Sequence, residues 1–141
     1  MRVRFGIVVA AAGLVLAGCN GPKSTCEGSY KSYCNTLEGA DWEGMYELLT
    51  PEFKKKARSA AAMNRVMSDV WKGAKSWSFK TQNVNETKEG FCTVQGEMKW
   101  TVKIRGALPY DESTYFSWVF KQQKDGLWYI ELPGHEKITG Y

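Results

Sequence analysis

The hydrophobic period of this chain changes once, at Gly73, and that change restricts its fold more than any other feature. Before Gly73 the apolar residues recur at helical spacing. Cys26, Tyr30, Tyr33, Cys34 and Leu37 fall at i, i+4, i+7, i+8 and i+11, which is one face of a helix. Gly39 fits its C-terminal cap. Asp41 reads as the N-cap of a second, short helix carrying Trp42, Met45, Tyr46 and Leu49. Thr50-Pro51 repeats the start signal, with proline at the first helical position. It predicts a third helix to about Lys72, with Phe53, Ala57, Ala60, Met67, Val70 and Trp71 inward.

After Gly73 the period is two. Trp77, Phe79 and Thr81 alternate with polar residues, and 85–90 reads as a turn. The clearest strand follows: Cys92, Val94, Met98, Trp100, Val102 and Ile104 face one side. Thr93, Gln95, Glu97, Lys99, Thr101, Lys103 and Arg105 face the other, and Gly96 marks a bulge or bend. Residues 106–112, with Pro109, read as a loop. A third strand covers 114–122, and Lys124-Asp125-Gly126 turns it into a fourth at 127–132. Helices first and an antiparallel meander after them make the class α+β: three N-terminal helices packed on a sheet of about four strands.

The length of 141 residues suits one domain, and 43% hydrophobic with 24% charged residues describes a globular chain. Of the 19 Lys and Arg, Arg2 and Arg4 open an N-terminal leader, and an apolar run follows from Phe5 to Leu16, shorter than a membrane span. Leu16-Ala17-Gly18-Cys19 resembles the lipobox of bacterial lipoproteins. The resemblance implies cleavage after Gly18, lipid on Cys19, and anchoring by several acyl chains where one would be marginal. It divides the chain into a signal peptide (1–18), a lipidated tether (19–23) and a single α+β domain (24–141). The expected location is the bacterial cell envelope. Asn20 after the cysteine favours the periplasmic face of the outer membrane where two membranes exist. Without the leader's arginines, the 17 basic residues against 15 acidic leave only about +2, which argues against a nucleic-acid binder.

With Cys19 lipidated, Cys26, Cys34 and Cys92 remain, and an oxidising envelope permits one bridge. Cys26 and Cys34 are eight residues apart on one helix, roughly 12 Å, beyond the ~7 Å reach of a disulfide. A bridge therefore joins Cys92 to one of them. Cys34 is preferred because it lies nearer the middle of the apolar face, with Cys26 the alternative and no bridge a third possibility. One histidine and scattered thiols make no metal site, and no cofactor is expected.

Leu37-Glu38-Gly39-Ala40-Asp41-Trp42, followed by Met45-Tyr46-Glu47-Leu48-Leu49-Thr50-Pro51-Glu52-Phe53, resembles the opening of nuclear-transport-factor-2-like domains. The resemblance implies a cone-shaped fold in which a curved sheet wraps a helix and leaves a pocket, often with dimerisation through the sheet. A cystatin-like helix on a four-stranded sheet is the alternative fold. Members of the superfamily include ketosteroid-isomerase-like enzymes, small-ligand binders and protein-binding modules, so fold does not decide function.

An enzyme of this kind needs an ionisable base in the pocket. The inward row of the second strand offers none, and Phe116, Trp118 and Phe120 add only apolar surface. The reading is a non-catalytic ligand-binding or protein-interaction module. Its alternatives are a ketosteroid-isomerase-like or dehydratase-like enzyme and a structural scaffold without a pocket. Met98, Trp100, Phe116 and Trp118 are the pocket or core candidates, for an apolar small ligand. Tyr115 and Val119 lie on the opposite face, which is expected to meet a second copy or an envelope protein. His135 reads as a tail residue. Lys54, Lys55, Lys56 and Arg58 read as a solvated face, with anionic lipid or cell-wall polymer as the sharper alternative. Near the start of one long helix they would oppose its macrodipole.

Overall fold

The computed structural model describes residues 20–131. The leader, Cys19 and His135 lie outside the described residues. Four helices come first: α1 (Cys26–Glu38), α2 (Trp42–Glu47), α3 (Pro51–Ala57) and α4 (Ala60–Val70). Four strands follow: β1 (Ala74–Glu86), β2 (Phe91–Val102), β3 (Tyr110–Gln122) and β4 (Trp128–Glu131). They form one curved antiparallel sheet in the order β1-β2-β3-β4. The α+β class and the helices-then-meander order are those expected from the change of period.

The expected third helix is two helices. Arg58 has φ 72° and ψ −58°, and the Ser59 N–H donates to the Ala57 carbonyl at 2.9 Å. This is the strained hand of the γ-turn. Ser59 then caps α4, its hydroxyl accepting from the Ala62 N–H at 3.1 Å. A serine competing for local backbone bonds explains the restart. The break also resolves the dipole conflict: Lys54, Lys55 and Lys56 fall in the last turn of α3, where cations are stabilising.

The inward row of β2 holds, with Cys92, Val94 and Met98 buried, and its pairing with β3 places Phe116, Trp118 and Phe120 on the same face. Three strand boundaries differ from expectation. β1 continues through Asn85 and Glu86, so the turn is 87–90. β2 stops at Val102, and Ile104 leaves the row. β3 begins at Tyr110, inside the expected loop. The bulge expected at Gly96 lies opposite it, between Thr81 and Asn83 on β1. A Cβ on Gly96 would stand 2.3 Å from the Lys80 carbonyl oxygen and 2.8 Å from the Phe116 ring, so both the bulge and the ring require glycine.

The disulfide joins Cys26 to Cys92, not Cys34, with Cα atoms 6.4 Å apart. Cys34 is a buried free thiol. The reason is which end of α1 meets β2. The N-terminal end is tied to β4, because the Ser29 hydroxyl donates to the Trp128 carbonyl and the Trp128 N–H donates to the Lys23 carbonyl. Cys92 sits at the start of β2, paired with Phe120, two β3 positions from the residue that faces Trp128. Cys26 is therefore within reach. Cys34, farther along the helix, lies beside Tyr30, Phe79 and Thr81.

The outer edge of β4 is covered twice, by Lys23 and by the segment between α2 and α3. Ile130 N–H donates to the Leu48 carbonyl, and Thr50 N–H donates to the Ile130 carbonyl. Thr50 thus serves β4 with its backbone, and its hydroxyl, expected to cap α3, is buried without a partner.

Candidate functional site

The two ends of the cone differ in what fills them. Toward β4 the interior is closed. Phe116 and Trp118 stack at 3.9 Å between ring centroids, Tyr33 meets Trp118 edge-on at 4.6 Å, and Phe120 and Ile130 are fully buried. On the β1 side, Tyr30 accepts a hydrogen bond from the Thr81 hydroxyl at 3.0 Å and lines, with Cys34, Glu38 and Phe79, a cleft of about 390 Å³. Burial pushes the Tyr30 phenol up to about 12, against the lowering effect of the Thr81 bond. It pushes the Cys34 thiol up to about 12 as well, and raises Tyr33. These groups are neutral at physiological pH.

The other end is open. Trp71, just past α4, packs edge-on against Trp77 of β1 and Trp100 of β2, with centroids 5.0 and 5.3 Å apart. Trp77 and Trp100 are 5.2 Å apart and nearly parallel. Beside this cluster lies a groove of about 430 Å³ whose apolar wall is Val70, Trp71, Trp100, Val102, Ile104 and Tyr110. Val70, Ile104 and Tyr110 are each more than two-fifths exposed, and Leu108 in the adjoining loop is 88% exposed. Asp69, Lys72 and Glu112 supply the charges at the rim. The Trp71 indole N–H is buried and has no partner. A second cleft, of about 380 Å³, adjoins it, lined by Ser76, Thr101, Asp111 and Ser113, and the two share Trp100 and Glu112.

Met98, Phe116 and Trp118 are buried core residues, and of the four pocket or core candidates only Trp100 lines the groove. Reading 106–112 as a loop hides Glu112 and Tyr110. Their signal is nevertheless present: counting back by twos from Phe116 gives Thr114, Glu112 and Tyr110, which pair with Met98, Trp100 and Val102 on the inner face. Tyr115 and Val119 share the outer face, opposite Glu97 and Thr93. Tyr115 is 73% exposed and Val119 half-buried, and the neighbouring outward residues include Gln95, Lys99 and Ser117. Among the described residues no group of His, Cys, Asp and Glu side chains is placed to hold a metal ion. No helix among them is long and apolar enough to cross a membrane.

No family model matches the chain, and no curated protein matches it. Solved structures do. A SEC-C motif containing protein of Rhodopseudomonas palustris superposes with a TM-score of 0.58 at 16% identity, over 77% of each chain. A putative calcium/calmodulin dependent protein kinase II association domain from Xanthomonas campestris gives 0.54 at 11% identity, over 81% of this chain and 96% of that one. Aln2 from a Streptomyces species gives 0.52 at 15%, over 72% and 79%. The likeness is one of fold. Three proteins so differently described show again that the fold alone assigns no activity.

Proposed function

We propose that the chain is a lipid-anchored protein of the bacterial cell envelope, attached through Cys19, whose domain is a non-catalytic module that binds a small apolar ligand at the open end of the cone. The observation that carries the binding reading is the groove beside Trp71 and Trp100. Its wall is aromatic and aliphatic, with a few polar groups at the rim, the composition of small-ligand sites. Leaving Val70, Ile104, Tyr110 and Leu108 exposed at one end concentrates apolar surface that a ligand would cover.

The groove wall of Val70, Trp71, Trp100, Val102 and Ile104 supports the non-catalytic reading, because it offers no group that can take up a proton. Glu112 is the observation that favours the enzyme alternative, being a carboxylate at the groove on the inner face of β3. Titration with 1-anilinonaphthalene-8-sulfonate tests the site. Saturable fluorescence enhancement by the folded protein is expected, lost on Trp100→Ala and kept on Glu112→Gln. Absence of saturable binding would favour the scaffold alternative. The anchor has its own test: Cys19→Ser is expected to leave the precursor unprocessed and abolish partition into detergent. Normal anchoring of that variant would contradict the assignment.

A further inference from the structure

If Cys19 carries the lipid, as the lipid-anchor reading has it, the basic cluster at the end of α3 lies close to the point of attachment. Asn20, one residue after Cys19, donates from its side-chain amide to Asp41 at 2.9 Å. Lys23 is held by Ser29 and Trp128. The chain is thus fastened to the domain one peptide step, about 3.8 Å, from the acylated residue. Asp41 caps α2, a helix of six residues and so roughly 9 Å long. At the other end of α2, Glu47 pairs with Lys54 of α3 at 3.2 Å. A lipid on Cys19 therefore brings α2 and α3 together to the headgroup layer.

α3 presents charge there. Only Ala57 is buried in it, with Phe53 half-buried. Lys54 is paired with Glu47, but Lys55, Lys56 and Arg58 form none of the ion pairs found among the described residues. The γ-turn at Arg58 adds a third cation to the two lysines at some cost in backbone strain. The acids of these helices are Glu43, Glu47 and Glu52, and Glu47 is already engaged.

We propose that Lys55, Lys56 and Arg58 form a plate that lies on an anionic phospholipid bilayer and, together with the acyl anchor, fixes the orientation of the domain. Cations near an anionic leaflet each strengthen attachment about fivefold, within a Debye length of about 10 Å. The fixed orientation has a consequence for the groove. α4 begins two residues past Arg58 and its 11 residues end at Val70, in the groove wall. That length is roughly 16 Å. The groove is thereby held away from the anchored end, and its ligand arrives from the aqueous side.

Lysine acetylation read by mass spectrometry tests the plate. The full mature protein is placed in phosphatidylcholine vesicles and in vesicles in which about one lipid in three is phosphatidylglycerol. Lys55 and Lys56 are expected to react at least about threefold more slowly on the anionic vesicles. Lys75 and Lys103, at the open end, are expected to react equally on both. Arg58→Gln is expected to weaken the protection without changing thermal unfolding, and high salt to abolish it. Equal rates at Lys55 and Lys56 on the two vesicles would overturn the proposal, as would protection of Lys75 and Lys103 instead. Protection by a soluble polyanion and not by vesicles would also overturn it, in favour of an envelope polymer. If the purified chain carries no lipid, the anchor reading fails by itself. A maleimide-linked lipid on Cys19 then supplies the attachment, and the same comparison decides the plate.

Discussion

The end of the cone at β4 and the end at Trp100 are built from the same alternating strands, yet one is stitched shut and the other left open. At the β4 end the disulfide, the Ser29–Trp128 bond and the two bridges of Leu48 and Thr50 to Ile130 converge within a few residues. At the Trp100 end the last turn of α4 meets β2 only through Trp71 and Trp100, and the aromatic rings pack on one another beside the groove. Sensitivity to substitution divides between the two ends accordingly. Stability is concentrated where chain segments distant in sequence are fastened together, and recognition is available where apolar surface is left without a covering element.

The contrast is broken most severely at the disulfide. Replacing Cys26 and Cys92 together with alanine is expected to lower stability by about 2–4 kcal/mol, since the bridge closes a long loop across a sequence separation of 66. Cys34→Ala is expected to cost less, and denaturant unfolding of the two variants compares them. Gly96→Ala comes next. It drives a methyl group into the Lys80 carbonyl and the Phe116 ring, and a loss of about 1–3 kcal/mol is expected from overpacking.

Alkaline pH acts on the buried groups. Cys34 and Tyr30 have folded values raised to about 12, above their ordinary values, chiefly by burial. Their contribution to stability is therefore complete below the unfolded values and declines as the pH rises through the folded ones. Unfolding free energy is expected to fall between about pH 9 and pH 12, with a shallower fall in Cys34→Ala. An unchanged slope would mean that the thiol is not held protonated by the fold. At the open end, Glu112→Gln is expected to change stability by less than about 0.5 kcal/mol, because the side chain is exposed. The outer face gives the smallest expected effect on stability. Val119→Lys, whose cation would face Glu131 across the strand pair, is expected to weaken self-association or partner capture through β3 and β4 while leaving the fold largely intact. Sedimentation of the unlipidated full domain, alone and with envelope extract, measures it. Strictly monomeric protein with no retained partner would rule out that contact.

Much of the fold was legible because side-chain alternation is local. Cys92, Val94 and Met98, and then Phe116, Trp118 and Phe120, could be assigned to one face from spacing alone, and the structure buries them together. Asp41 was legible as a cap for the same reason, its side chain accepting from Gly44 three residues on at 3.0 Å. The disulfide was not, because proximity of Cys26 to Cys92 depends on how α1 is tied to β4 by Ser29 and Trp128, 99 residues apart. The break at Arg58 was hidden for a different reason: a non-glycine residue in a strained turn leaves no mark of its own, and the start signal of Ser59 sits inside an unbroken helical pattern. At the groove, Trp100 was in view, but Pro109 masked the start of β3 and with it Tyr110 and Glu112.

Binding at the open end and not at the stitched end can be read from the indole N–H signals of a ¹⁵N-labelled protein. The tryptophans report from both regions, with Trp71 and Trp100 at the groove and Trp42, Trp118 and Trp128 in the core. On titration with 1-anilinonaphthalene-8-sulfonate, the Trp71 and Trp100 signals are expected to shift progressively and saturate together, while those of Trp42, Trp118 and Trp128 stay in place. Saturating shifts confined to the core signals, or to backbone amides around Tyr115 and Val119 on the outer face, would mean that the groove is not the binding site.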